Sequence, residues 1–167
     1  AALMDDSKVR EEYSRQGEQR IIHSLVELLR HYLCWYLDGR SFLRIRAPKA
    51  EPTSCWKLII DELPVTLPEA GEPPLSIALR LLSALEEHSS SKETAALWRA
   101  RWIYAKQGPA AGEDAFRLIL EGLPSDGPSA TAITHVRYRA IGGVAEALLD
   151  RGAARLASAW LKEHASL

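Results

Sequence analysis

Leu97-Trp98-Arg99-Ala100-Arg101-Trp102-Ile103-Tyr104-Ala105-Lys106-Gln107-Gly108 reads as one helix that stops on a glycine. Ala115, Ile119 and Gly122 continue on a second helix, followed by Pro124. Val144-Ala145-Glu146-Ala147-Leu148-Leu149-Asp150-Arg151-Gly152 repeats the first element, and Ala157, Leu161 and His164 repeat the second. Glycine tolerates the left-handed conformation in which many helices end. Helix, glycine, helix, twice over, predicts stacked helical hairpins.

The rest of the chain extends this pattern. Ile21, Ile22, Leu25, Val26, Leu28, Leu29, Tyr32, Leu33, Trp35, Tyr36 and Leu37 cover an arc of about 200° at helical spacing. That is wider than packing on one side requires, so this helix is expected to touch neighbours on two sides. Leu75, Ile77, Ala78, Leu79, Leu81, Leu82 and Leu85 form an apolar stripe, with Ser76, Arg80, Ser83 and Glu87 opposite. Ser89-Ser90-Ser91 breaks that helix and offers an N-cap for the next. Further helices are expected over 93–107, 113–122, about 131–151 and 153–165, making about six in antiparallel hairpins.

Residues 1–20 are polar on every side and read as an N-terminal extension, either a solvated helix or disordered. Residues 21–167 then form a single helical-repeat domain with a proline-rich insertion at about 39–74. Pro48, Pro52, Pro64, Pro68, Pro73 and Pro74 punctuate that insertion. Within it, 41–47 suits an extended segment and 54–63 a short helix.

Composition narrows the classes of function. A 167-residue chain with 47% hydrophobic and 26% charged residues suits one globular core. A formal net charge of -1 supplies no whole-chain field for nucleic acid or an anionic membrane. No apolar run reaches the roughly 18–20 residues of a membrane span. Cys34 and Cys55 form no paired motif, which favours a reduced, cytoplasmic setting. The chain begins Ala-Ala rather than with Met, consistent with processing or with a domain cut from a longer protein. No nucleophile elbow, phosphate loop, zinc-protease motif or dinucleotide fingerprint is present, so neither an enzyme nor a cofactor is expected.

The glycine-ended helices and the small residue in each following helix resemble the tetratricopeptide repeat family. Tyr104 and Leu148 stand four residues before Gly108 and Gly152, and Ala115 and Ala157 take the small position. Where that family has a Leu-Gly pair, this chain has Ala100-Arg101 and Val144-Ala145, so the repeats over roughly 94–165 are degenerate. Residues 21–37 with 75–88 would supply a third hairpin, interrupted by the insertion. The resemblance implies an all-α fold, a short right-handed solenoid. It also implies a scaffold or regulatory module whose first helices line a groove for a peptide or helix of a partner protein.

Trp98, Arg101, Trp102, Tyr104 and Arg139 are the candidate groove residues. Aromatic anchors with arginines suit recognition of an acidic partner. The plain alternative is packing between helices, with Arg101 reaching out to water. Arg40, Arg44, Arg46 and Lys49 surround Phe42 and form a possible anion-binding loop. The alternative there is a solvated loop paired with Glu51, Asp61 and Glu62. His23, Glu27, His31 and Cys34 share one helix stripe, and a metal-binding sensor is the second functional class they suggest. Such a stripe drifts by about 80° over His23 to His31, and the ordinary polar face of a helix is the favoured reading. Leu156, Trp160 and Leu161 offer a third reading, self-association through the last helix. Gly142-Gly143 inside a helix costs about 1 kcal/mol per glycine relative to alanine, which predicts a kink or the close approach of another backbone.

Overall fold

The computed structural model describes residues 6–37, 51–124 and 130–165. Within them lie seven helices: α1 (Asp6–Leu37), α2 (Pro52–Glu62), α3 (Pro74–His88), α4 (Lys92–Gln107), α5 (Pro109–Gly122), α6 (Ala130–Asp150) and α7 (Ala154–Glu163).

Local chemistry sets most of these boundaries. Helices α2, α3 and α5 each begin on a proline, which presets the helical φ and lacks an N–H the first turn could not use. Helix α5 therefore starts at Pro109, four residues before the position expected from apolar spacing alone. Ser91 caps α4, its hydroxyl accepting from the Thr94 N–H at 3.2 Å. Helix α4 ends at Gly108, whose φ is 96°, with its N–H bonded to the Tyr104 carbonyl at 2.8 Å. Gly152, at φ 75°, closes α6. Its N–H bonds to the Leu149 carbonyl and the Ala153 N–H bonds back to the Leu148 carbonyl, both at 2.9 Å. That pair of bonds is the Schellman arrangement, and it requires a residue at ease in the left-handed region.

The polar stretch over 6–20 is helical and continuous with the apolar part of α1, so no break separates extension from domain at Arg20–Ile21. Residues 7–20 are exposed apart from half-buried Val9. The buried surface of α1 begins at Ser24 and runs to Leu33.

Packing follows chain order as stacked hairpins. Helix α1 packs on α3, α3 on α4, α4 on α5, α5 on α6 and α6 on α7. Helix α4 also touches both α1 and α6, whereas α1 and α6 do not touch each other among the described residues. Helix α4 thus links α1 and α6 into one layer of the stack, with α3 and α5 each packed against α4. Helix α2, inside the proline-rich insertion, folds back onto α1 and buries Cys55, Trp56 and Ile59. The Trp56 indole N–H donates to the Tyr32 hydroxyl at 3.2 Å. The expected extended segment at 41–47 lies outside the described residues.

The proline-rich segment after α2 is held by one arginine of α3. Arg80 donates to the Thr66 carbonyl at 2.8 Å and to the Glu72 carboxylate at 2.6 Å. Glu72 also accepts from Ser76 and from the Glu69 N–H, each at 3.1 Å. Desolvation raises the Glu72 pKa, but these hydrogen bonds and the Arg80 charge outweigh it and leave the carboxyl below its ordinary value of 4.5.

Two glycines are explained by side chains packed against them. A Cβ on Gly143 would stand 2.7 Å from three atoms of the Phe116 ring, and one on Gly112 would stand 2.5 Å from Tyr104 Cδ2. Gly142, by contrast, faces nothing within 4 Å. The approach at Gly143 is thus that of an aromatic ring on α5, not of another backbone.

The two neighbouring glycines should respond oppositely to alanine. Gly142→Ala should stabilise by about 0.5–1 kcal/mol through helix propensity. Gly143→Ala should destabilise by about 1–3 kcal/mol, because Phe116 is enclosed and must be displaced. Urea unfolding of the two variants checks this. A second expectation concerns acid. Glu72 binds protons less readily folded than unfolded, so its contribution is present above the ordinary carboxylate range and lost as pH falls through the folded value. Measured against its intrinsic rate, the Glu69 amide should therefore lose protection from hydrogen exchange in acid before the amides of α3 do.

Candidate functional site

Helix α4 is buried on two sides. Ala95, Trp98, Trp102 and Ala105 pack into one core with α1, α2 and α3. Leu97, Ala100 and Tyr104 pack into a second core with α5, α6 and α7. At 100° per residue these stripes leave one narrow seam, and Arg101 falls in it. The expected aromatic residues are thus interior: Trp98 is 2% exposed, Tyr104 5% and Trp102 8%. The Trp102 indole N–H donates to the Leu75 carbonyl at 3.2 Å. Emptying the place of a ring so enclosed as Trp98 would cost about 3–5 kcal/mol. What reaches the surface here is arginine.

Arg101 is half-buried, with its guanidinium carbon 4.4 Å from the centre of the Trp98 ring. The Arg30 guanidinium carbon, from α1, lies 5.9 Å from the same ring. An aromatic face attracts a cation by about 0.5–2 kcal/mol, more as water is removed. Trp98 therefore serves as a platform under two positive charges. Exposed Arg139, on α6, is near enough for its charge to act on Arg101. Burial, followed by the charges of Arg139 and Arg30, pushes the Arg101 pKa down to about 10, while Glu146 and Cys34 oppose the shift. At neutral pH it still carries its charge.

The pairing of the other arginines sharpens the contrast. Arg30 bonds to Glu27 at 2.6 Å, and Glu27 is 1% exposed. Arg99 grips Glu86 through Nε at 2.8 Å and Nη2 at 2.6 Å, tying α4 to α3. Arg117 and Arg151 both bond to buried Glu113, at 2.9 and 2.7 Å, tying α5 to the end of α6. Arg101 forms no ion pair with a described residue, and its Nε is buried without a hydrogen-bond partner. Arg80 also leaves its Nε unpartnered, but its charge is met by Glu72.

The remaining sequence expectations fall elsewhere. His23 is exposed and His31 and Cys34 are half-buried, while Glu27 is buried and paired with Arg30. No group of three or more His, Cys, Asp or Glu side chains among the described residues could hold a metal ion, so the proposed stripe does not converge. A helix turns such side chains apart, and Glu27 is drawn inward by its partner. Burial raises the Cys34 pKa despite the nearby Arg30 and Arg101 charges. Arg40, Arg44, Arg46 and Lys49 lie outside the described residues. Leu156 and Leu161 are exposed on α7. Trp160 is held inward, its indole N–H donating to the Ile141 carbonyl at 3.0 Å and its ring covered by Arg117 at 4.3 Å.

A separate open cleft of about 670 Å³ lies between α1 and α2, lined by residues that include His23, Ser24, Cys55, Lys57 and Asp61. It is remote from Arg101 in its lining. No helix among the described residues is long and apolar enough to cross a membrane. Compared with protein-family models, curated proteins and solved structures, the chain matches none of them.

Sequence reasoning missed Arg30 and the role of Glu27. The signal was there: a glutamate on a helix apolar over about 200°, with an arginine three residues on, is the spacing of a paired buried charge.

The paired and unpaired arginines should behave differently when neutralised. Arg30→Met removes a guanidinium that meets the buried Glu27 carboxylate and should cost about 2–3 kcal/mol. Arg101→Met keeps the contact with Trp98 and removes an unpaired charge, so stability should hold or rise. Urea titrations compared with the unsubstituted protein decide this; a loss at Arg101 as large as at Arg30 would make Arg101 structural.

Proposed function

We propose that this protein is an interaction module, a scaffold or regulatory element and not a catalyst, that binds a segment of a partner protein along the α1–α4–α6 layer. The observation that carries this reading is Arg101: a half-buried guanidinium over Trp98 that forms no ion pair with a described carboxylate. Desolvation and repulsion both oppose an unpaired cation beside two others, and the contact with Trp98 offsets only part of that cost. A partner that brings negative charge offsets the remainder. Arg139, exposed and without a described ion pair, extends the positive surface onto α6.

In this reading the aromatic residues act beneath the surface. Trp98 fixes the guanidinium, while Trp102 and Tyr104 anchor α4 in its two cores. The stacked hairpins provide the rigid support that a binding surface needs. The tetratricopeptide-like resemblance agrees with such a role, because helices that follow one another in a layer form an extended face.

Capture from a lysate of the source cells tests this. The unsubstituted protein should retain a partner that a folded Arg101→Glu, Arg139→Glu double variant loses. Equal recovery by both baits, with the variant's circular dichroism unchanged, would remove the α1–α4–α6 layer from the function.

A further inference from the structure

We propose that Arg101 is the receptor for one carboxylate of the partner segment, an aspartyl or glutamyl side chain, with Arg30 and Arg139 drawing further acidic groups to the same layer. This rests on the interaction reading above and adds the chemistry of the contact.

Two residues away, and again on α5, the molecule shows an arginine fork meeting a carboxylate. Arg99 presents its Nε–H and one Nη–H side by side, and the two oxygens of Glu86 accept them at 2.8 and 2.6 Å. Arg117 uses the same edge, Nε and Nη2, toward Glu113 at 3.1 and 2.9 Å. In Arg101 the Nε donor is shut away from water, so the part of the guanidinium open to a ligand is its pair of Nη groups. A carboxylate that accepts from both Nη groups meets the charge. One face of the Arg101 guanidinium is covered by the Trp98 ring at 4.4 Å. The plane is therefore set before a ligand arrives, and little rotamer freedom is lost on binding.

Two surrounding features select the ligand. Arg30 and Arg139 make the field at Arg101 positive although the whole chain carries a formal net charge of -1. Glu146 is also close enough to act on Arg101. Its negative charge partly offsets that field, and a carboxylate brings the single negative charge that one unpaired guanidinium matches.

The test uses the full chain, labelled with ¹⁵N, in about 150 mM salt so that distant charges are screened. The Arg101 Nε–H signal is assigned by its disappearance in Arg101→Lys. An acetylated hexa-aspartate peptide is titrated in, with hexa-lysine as control and a phosphoserine peptide of matched charge as the second arm. Hexa-aspartate should move the Arg101 Nε–H signal saturably, together with backbone amides of α4 and α6. Arg101→Gln should weaken binding by about tenfold or more, the scale of a lost charge-assisted contact. Arg101→Lys, which keeps the charge but not the fork, should fall between. Thermal unfolding of each variant reports its fold, and the signal in the unsubstituted protein needs no variant.

Equal affinity of hexa-aspartate for the unsubstituted protein and Arg101→Gln overturns the proposal, as does an Arg101 signal that no anion moves. A signal moved only by the phosphoserine peptide overturns the carboxylate as ligand. The two readings fail separately. A captured partner that binds Arg101→Gln undiminished leaves the interaction reading standing and removes this one. A saturable Arg101 response to hexa-aspartate, with no partner lost by the double variant, removes only the former.

Discussion

The fold depends on one helix being buried from two sides at once. Helix α4 gives Trp98 and Trp102 to the core built with α1, α2 and α3, and Tyr104 to the core built with α5, α6 and α7. Ala95, Ala100 and Ala105 keep its surface low where neighbours approach. A helix loaded in this way has little room for polar residues, because its circumference is fixed at 3.6 residues per turn. Arg99 and Lys106 use the outer side, both lying over Trp102. Arg101 takes the remaining seam, where its stem is covered and its charge is not matched. The candidate site is thus a consequence of how the stack is held together.

Charge is distributed with the same economy. Helices next to each other in the stack are joined by arginine–carboxylate pairs: Arg99 with Glu86 joins α3 to α4, and Arg151 with Glu113 joins α5 to the end of α6. Partly exposed pairs of this kind add little to stability, but a bidentate fork fixes register between helices. Glu27 and Glu113 are buried, and each has an arginine within 3 Å. Against those matched pairs, Arg101 is a half-buried arginine with no ion pair to a described residue, beside Arg30 and Arg139. A near-neutral chain conceals this, since the sum over all residues carries no information about where the charges lie.

Much of the architecture was legible in the amino-acid order. The stripe from Leu75 to Leu85, the cap at Ser91 and the glycines at 108 and 152 mark helices through interactions within a few residues, so they need no knowledge of the fold. The start of α5 was misplaced because apolar spacing was weighed above Pro109, whose ring favours the first turn of a helix. The extent of α1 was also underread. Residues 6–20 carry no apolar face, and only continuity with the buried part of the helix explains their helical state.

The site was half legible. Arg101 and Arg139 stand out on the sequence as arginines among apolar residues, and the spacing of α4 placed Arg101 between two stripes. That Trp98 would lie beneath Arg101 and Arg30, instead of meeting a partner itself, depends on α1 closing over α4. Sequence alone determined most of the helices and the glycine and serine caps at their ends, because hydrogen bonds, caps and periodicity act over a single turn. Tertiary structure alone decided that half-buried Arg101 has no ion pair with a described residue, why Gly143 must lack a side chain, and that His23, Glu27, His31 and Cys34 do not converge. Those outcomes rest on side chains from different helices, or from successive turns of one helix, meeting or missing each other in space, and no local rule fixes that meeting.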